Sequence, residues 1–168
     1  ALAERFDAFM IVDDAHGWIL AHQSGAVLRT TDGGATWKVQ ARLGEGFLES
    51  IYFTDARNGW ICGDKGRLYR TTDGGETWTL RSFGDGLAFY AVRFVDAKKG
   101  FLAGIDPAAG RAVFQETLDG GGTWTRREDL PAVRGYSDAL AFSSASVGFL
   151  GGFGAVLATR DGGKTWTV

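Results

Sequence analysis

Cysteine, proline, histidine and net charge are all scarce in this chain, and each scarcity closes off a class of explanation. One cysteine in 168 residues excludes any intrachain disulfide. That residue, Cys62, falls where equivalent segments carry Leu20, Ala103 and Gly151, which marks it as a small core residue rather than a reactive thiol. The two histidines, His16 and His22, have neither the second-ligand spacing nor the cysteine partner of a metal site and read as solvated turn residues. Ser24 lies two residues after His22 but outside any nucleophile-elbow context, so a Ser-His-Asp arrangement is unsupported. No run is long and apolar enough to span a bilayer. A formal net charge of −2 gives no electrostatic reason to bind nucleic acid, an acidic membrane or a basic partner. The chain opens on Ala1 with neither an initiator methionine nor a signal-peptide pattern, so it is expected to be an excerpt or a processed form.

Glycine and aromatics are what the chain has instead. Twenty-six glycines against two prolines, with 13% aromatic residues, suit half-buried strands joined by many tight turns. An eight-residue signature, Thr-x-Asp-Gly-Gly-x-Thr-Trp, recurs four times, with its aspartates at Asp32, Asp73, Asp119 and Asp161 and its tryptophans at Trp37, Trp78, Trp124 and Trp166. The aspartates are 41, 46 and 42 residues apart, a period that belongs to supersecondary units stacked in an array. A second signature keeps register: an apolar run ends near Asp13, Asp55, Asp96 and Ser144, and four residues later Gly17, Gly59, Gly100 and Gly148 each precede an aromatic. The repeats divide the chain into units of approximately 1–41, 42–82, 83–128 and 129–168.

The second unit serves as template, with strands A to D predicted over 49–54, 59–63, 66–72 and 77–82. Four antiparallel strands in roughly 40 residues make one propeller blade, so the fold class is all-β, a β-propeller of four-stranded antiparallel blades. Inside the eight-residue box the aspartate can accept backbone N–H bonds across the turn, the glycines supply positive φ, and the tryptophan anchors the returning strand. The box lacks the extra carboxylates of a calcium loop and the helix of a phosphate cradle, and the run from Gly151 to Gly154 is likewise a hairpin turn without a following helix. Neither cofactor nor metal is expected.

These boxes resemble the Asp-box, or bacterial neuraminidase repeat, found in sialidases, xyloglucan-cleaving glycosidases, sortilin-type receptors and the photosystem II stability/assembly factor family. The flanking residues Tyr52 to Asp55, Gly59-Trp60 and Gly66 to Arg70 make the chain most similar to the photosystem assembly factors and their bacterial relatives. The resemblance implies a propeller with boxes on its periphery, away from the ligand face, and so makes the four box aspartates poor catalytic candidates. It also implies more than four blades, so three arrangements are open: a small closed ring, two chains combining into a possible dimer, or part of a longer protein, the last being expected. An extracytoplasmic location, periplasmic, lumenal or secreted, follows from the resemblance alone.

Departures from the repeat are the candidate functional residues, because a blade does not need them. With boxes and A-to-B turns on one face, the other collects the D-to-A links, 42–48, 83–89 and 128–137, and the B-to-C turns, of which 105–111 is the longest. Asp106, Arg111, Arg134 and Tyr136 in these connections are nominated for contact, with Phe83, Phe89 and Phe153 as further aromatic anchors. Aligning strand A on the residue that closes it puts Asp7, Glu49, Tyr90 and Asp138 at one equivalent position. Strand A is the innermost of a blade, so three carboxylates would ring the channel mouth and take a cation, a basic side chain or sugar hydroxyls. Alternatively each caps a strand end or pairs with Arg5, Arg93 or Arg134. A glycosidase needs two carboxyls roughly 5–10 Å apart, a distance no sequence supplies. Thirteen arginines and four tyrosines are present, yet the Arg-Ile-Pro element of sialidases is missing. The expected function is therefore a non-catalytic scaffold binding a protein partner, with a carbohydrate-active propeller that takes a glycan as the alternative and a purely structural domain as a third reading. No catalytic residue is assigned.

Overall fold

Short apolar segments closed by glycine and aspartate turns fold as four antiparallel sheets in the computed structural model, which describes residues 5–44, 46–131, 137–152 and 154–168. The side chains of Asp7, Ser137 and Asp138 lie outside that description. Blade 1 comprises β1 (Phe6–Ile11), β2 (Gly17–Ala21), β3 (Ala26–Thr30) and β4 (Lys38–Arg42). Blade 2 comprises β5 (Leu48–Phe53), β6 (Gly59–Gly63), β7 (Arg67–Thr71) and β8 (Thr79–Ser82). Blade 3 comprises β9 (Ala88–Phe94), β10 (Gly100–Asp106), β11 (Arg111–Thr117) and β12 (Thr125–Arg126). Blade 4 comprises β13 (Ser137–Phe142), β14 (Gly148–Gly152) and β15 (Ala155–Thr159), with an Ala158 to Thr167 bridge where a fourth strand begins. Each sheet pairs its strands in sequence order, and β1 packs on β5, β5 on β9 and β9 on β13, so the A strands form the inner wall.

Strands A to C of blade 2 fall within a residue of expectation, whereas its strand D starts two residues late because the box holds Thr77 and Trp78 in its turn. Blade 3 differs more. Its B and C strands extend into both ends of the expected loop, pairing Ile105 with Ala112 and Asp106 with Arg111, so that only 107–110 form the turn.

Two hydrogen-bonded staples hold the lower face. In every box one carboxylate oxygen accepts from the first threonine hydroxyl and the second threonine N–H, and the other oxygen accepts from the second threonine hydroxyl. For Asp32 these distances are 2.7 Å to Thr30, and 2.9 and 2.6 Å to Thr36. The other boxes repeat the pattern. Both glycines of each doublet, such as Gly74 and Gly75, have positive φ, which a Cβ would strain. The second staple is the A-to-B turn: Asp13, Asp55 and Asp96 each accept two backbone N–H bonds, and Ser144 does the same with its hydroxyl. The first box glycine of each doublet donates to this turn at 2.8–3.1 Å, as Gly74 does to Arg57 O, which fixes boxes and A-to-B turns on one face. Opposite, the B-to-C turns bond to the D-to-A links, as Phe83 N does to Gly66 O at 2.9 Å.

Between blades the core is aromatic. Trp18 of β2 stacks on Phe53 of β5 at 3.7 Å, and Trp78 meets Phe53 edge-on at 6.0 Å. The next seam repeats the set in Trp60, Phe94 and Trp124, and the last in Phe101, Phe142 and Trp166. Trp124 and Trp166 are buried and Trp78 half-buried against these cores, whereas Trp37 is half-buried outside them, with no other blade among the described residues packed on its side. Cys62 is fully buried in the second seam, and burial pushes its thiol pKa far up. Replacing Phe94 by alanine empties the centre of one seam and is expected to cost about 3–5 kcal/mol in urea unfolding, since buried Phe-to-Ala changes fall there; a cost under about 1 kcal/mol would contradict this packing.

Candidate functional site

The carboxylates that most resemble chemistry are already committed. Two threonines hold each box aspartate, and these bonds depress its pKa. The Thr36 hydroxyl, then the Thr36 N–H and the Thr30 hydroxyl, bring Asp32 to about 2. The Thr123 N–H and hydroxyl do the same for Asp119, to about 2, and Asp73 and Asp161 lie lower still, chiefly through Thr77 and Thr165. Groups held ionised in this way are turn closures, with no capacity for general acid work near neutral pH.

At the opposite face the equivalence read from sequence takes a physical form. Each A strand carries one register shift against its B strand, and the skipped residues are Asp7, Glu49, Tyr90 and Asp138. A β-bulge leaves its extra residue unpaired, bends the strand and re-aims the side chain, and such bulges concentrate at barrel rims and beside functional sites. Four bulges at one level of four adjoining strands define a rim position on the inner wall. Glu49 is half-buried there, with Oε2 3.5 Å from His22 Nδ1, and Tyr90 is also half-buried.

Other nominated residues divide. Arg111 is exposed at the tip of the long hairpin. Asp106 pairs with it in register and accepts the Ala109 N–H at 3.0 Å, so its carboxylate closes the turn. Arg134 and Tyr136 lie outside the described residues, as does Phe153. Phe89 is fully buried and Phe83 packs edge-on against it at 5.2 Å, so these two belong to the seam between blades 2 and 3 and are not surface anchors. His22 also departs from expectation. Only 19% of its side chain is exposed, Nδ1 lies 3.0 Å from Leu48 O, and its ring stacks on Phe47 at 4.9 Å. His22, Phe47 and Glu49 thus form a polar and aromatic cluster over the junction of blades 1 and 2.

Arg93, considered from sequence only as a partner for the rim acids, turns inward. It donates to Ser50 Oγ at 3.0 Å and Val92 O at 2.7 Å and lies over the Tyr52 ring, whose hydroxyl donates to Phe94 O at 3.1 Å. It latches β9 to β5, and burial pulls its pKa below the ordinary arginine value. The available signal was a charged residue in the inward-facing segment Ala91-Val92-Arg93-Phe94. On the box face, a cavity of about 350 Å³ between blades 2 and 3 is lined by Arg70, Thr77, Arg81 and Gly121 among others, apart from the rim. Among the described residues no three His, Cys, Asp or Glu side chains converge as metal ligands, and no helix is long and apolar enough to cross a membrane.

Comparison with known proteins agrees with this architecture. The family model of the photosynthesis system II assembly factor YCF48 matches residues 4–79, just under half of the chain. The structure of YCF48 bound to D1 peptide is 18% identical, with a TM-score of 0.62 over 98% of this chain and 82% of that one. YCF48 from Cyanidioschyzon merolae is 20% identical, with a TM-score of 0.72 over 93% of this chain and 50% of that one. An ancestral GH74 enzyme is 14% identical, with a TM-score of 0.77 over 97% of this chain and 24% of that one. The chain therefore spans half of the C. merolae protein and about a quarter of the GH74 enzyme. No curated protein sequence matches it. The chain is an Asp-box β-propeller array similar to the photosystem II assembly factors.

The box pKa values set an acid limit. A depressed folded-state pKa contributes stability that is complete above the unfolded value of 3.8 and is lost as pH falls through the folded value, so the first and third boxes loosen between about pH 4 and pH 2 and the other two at lower pH. In carboxyl NMR titration Asp32 is expected to titrate at about 2, and Thr36→Val to move it upward toward 3.8; an unshifted Asp32 in the variant would refute the threonine as cause.

Proposed function

We propose that this chain is a non-catalytic propeller scaffold that binds a protein partner on the face opposite the Asp boxes. The observation that carries the reading is the set of strand-A bulges, which bring Asp7, Glu49, Tyr90 and Asp138 to one level of the inner wall. The box carboxylates are used up in turn closure, whereas the rim residues and the exposed Arg111 are not required by the blade. Support comes from the YCF48 family match over the first two blades and from a similar fold in YCF48 bound to D1 peptide. A rim of carboxylates and a tyrosine suits a peptide segment that offers cationic or hydrogen-bond-donating groups. Arg134 and Tyr136 belong to the same proposal as contact residues in the last D-to-A link. An extracytoplasmic location, periplasmic, lumenal or secreted, is part of this reading. Affinity capture with the wild-type chain should retain a partner. Glu49→Ala, Arg111→Ala and Tyr136→Ala should each be assayed, and at least one should weaken binding about tenfold, the scale of a binding hot spot. A partner bound equally by all three variants would remove this face from consideration.

A carbohydrate-active reading is favoured by one observation, the close fold match to the ancestral GH74 enzyme. It needs two carboxyls facing each other across a sugar, roughly 5–10 Å apart, and the rim offers Asp7, Glu49 and Asp138 as the candidates. A glycan array with a fluorogenic glycoside panel separates the readings: binding or turnover abolished by Asp138→Asn supports the carbohydrate reading, and a blank panel excludes it.

A further inference from the structure

At the internal seam between blades 2 and 3, on the box face, two arginines share a cavity with no carboxylate to answer them, and we propose that this cavity binds a dianionic phosphate group. Its volume is about 350 Å³, at the small end for ligand sites. Among the described residues Arg70, Arg81 and three threonines of blade 2 line it with two box glycines of blade 3, and none of the lining residues is acidic.

The same place in the next seam shows what these arginines lack. Three residues before the box aspartate, blade 2 has Arg70 and blade 3 has Glu116; eight residues after it, they have Arg81 and Arg127. Strand register gives the same equivalence, since Arg70 pairs with Trp60 and Thr79 while Glu116 pairs with Phe101 and Thr125. Both strand-D arginines donate to the following box, Arg81 to Gly122 O at 3.0 Å and Arg127 to Gly163 O at 2.9 Å. In the seam between blades 3 and 4 the Glu116 carboxylate supplies the counter-charge, 3.1 Å from Arg127 and 3.4 Å from Lys99. In the seam between blades 2 and 3 a second guanidinium stands in place of that carboxylate, and Asn58 in place of Lys99.

Arg70 is half-buried, and its Nε is buried without a hydrogen-bond partner among the described residues. Neither Arg70 nor Arg81 forms an ion pair with any of them. The box aspartates on either side, Asp73 and Asp119, do not line the cavity, and each spends both carboxylate oxygens on its own two threonines. The Thr77 hydroxyl is committed to Asp73, whereas those of Thr72 and Thr79 bond to no described residue. Two permanent cations beside two uncommitted hydroxyls are the donor set of an oxyanion site. Phosphate suits it better than a carboxylate, because it brings up to two negative charges to the two guanidiniums and three strong acceptor oxygens. The cavity lies on the face opposite the rim, so the inference goes beyond the scaffold reading and stands without it.

Isothermal titration of the chain with inorganic phosphate at low ionic strength should show one saturable site, unmatched by chloride or acetate. Arg70→Glu supplies the missing carboxylate from within, as Glu116 does for Arg127, and should abolish binding with an unchanged urea midpoint. Arg81→Gln, which introduces the residue that blade 1 carries at this position as Gln40, should weaken binding about tenfold, the scale of a lost charge-assisted hydrogen bond. Because Arg81 is exposed, this variant reads binding independently of packing. Phenyl phosphate distinguishes the sources: binding tighter than inorganic phosphate supports the site as one for a phosphate monoester, and equal or weaker binding supports it as one for free phosphate. Absence of a saturable phosphate site, an acetate response of equal strength, or binding unchanged in either variant overturns the proposal.

Discussion

Stacking of one aromatic from each blade on a phenylalanine of the next is the interaction on which the rest of this structure depends. Trp18 on Phe53, Trp60 on Phe94 and Phe101 on Phe142 lie in the middle of three successive seams, each closed at its edge by the following box tryptophan. A four-stranded sheet is apolar on both faces here and cannot bury either alone, so a blade is stable only as part of a row. The seam also explains the glycine that ends each A-to-B turn. Gly59 and Gly100 lie under Phe53 and Phe94, where a Cβ would approach the ring to 2.4 and 2.6 Å. Flat rings need a flat neighbour, and glycine gives it.

The Asp box serves this packing from outside. Its carboxylate joins two threonines across the turn, which holds the doublet of positive-φ glycines, and carbonyls of the box then serve the seam: Gly74 O receives Trp18, Gly122 O receives Arg81, and Gly163 O receives Arg127. One motif thus closes its own hairpin and docks its blade on the preceding one. That double duty accounts for the uniformity of the box beside the variability of the loops. It also accounts for an aspartate held ionised by its own turn.

Most of the fold was legible because the chain states its architecture four times. Box spacing, the glycine after each A strand and the aromatic that follows gave blade number, strand order and the two faces. What could not be read were features set by neighbours in space. His22 looks like a turn residue until Phe47 and Leu48 of the next blade close over it, and Phe83 and Phe89 look like link residues until they meet across a seam. Arg93 is buried because Ser50 and Tyr52 on the adjoining strand accept and cover it, a pairing between residues about forty positions apart. The longer hairpin of blade 3 was visible as an insertion, but its residues carried no sign that Asp106 would close the turn.

Repeat architecture constrains where recognition can reside. A residue required at every blade for closure or stacking cannot be altered for a ligand without damaging the row, so adaptable positions are those where the backbone releases a side chain from the ladder. The strand-A bulge recurs once per blade, in the innermost strand, and there the chain holds Asp7, Glu49, Tyr90 and Asp138 rather than one repeated residue. The geometry is invariant while the chemistry varies, the inverse of the box, where four identical aspartates make identical bonds. A bulge repeated in register is therefore a set of fixed mounting points with interchangeable side chains, which lets one stack of blades keep its seams while its rim changes character from blade to blade.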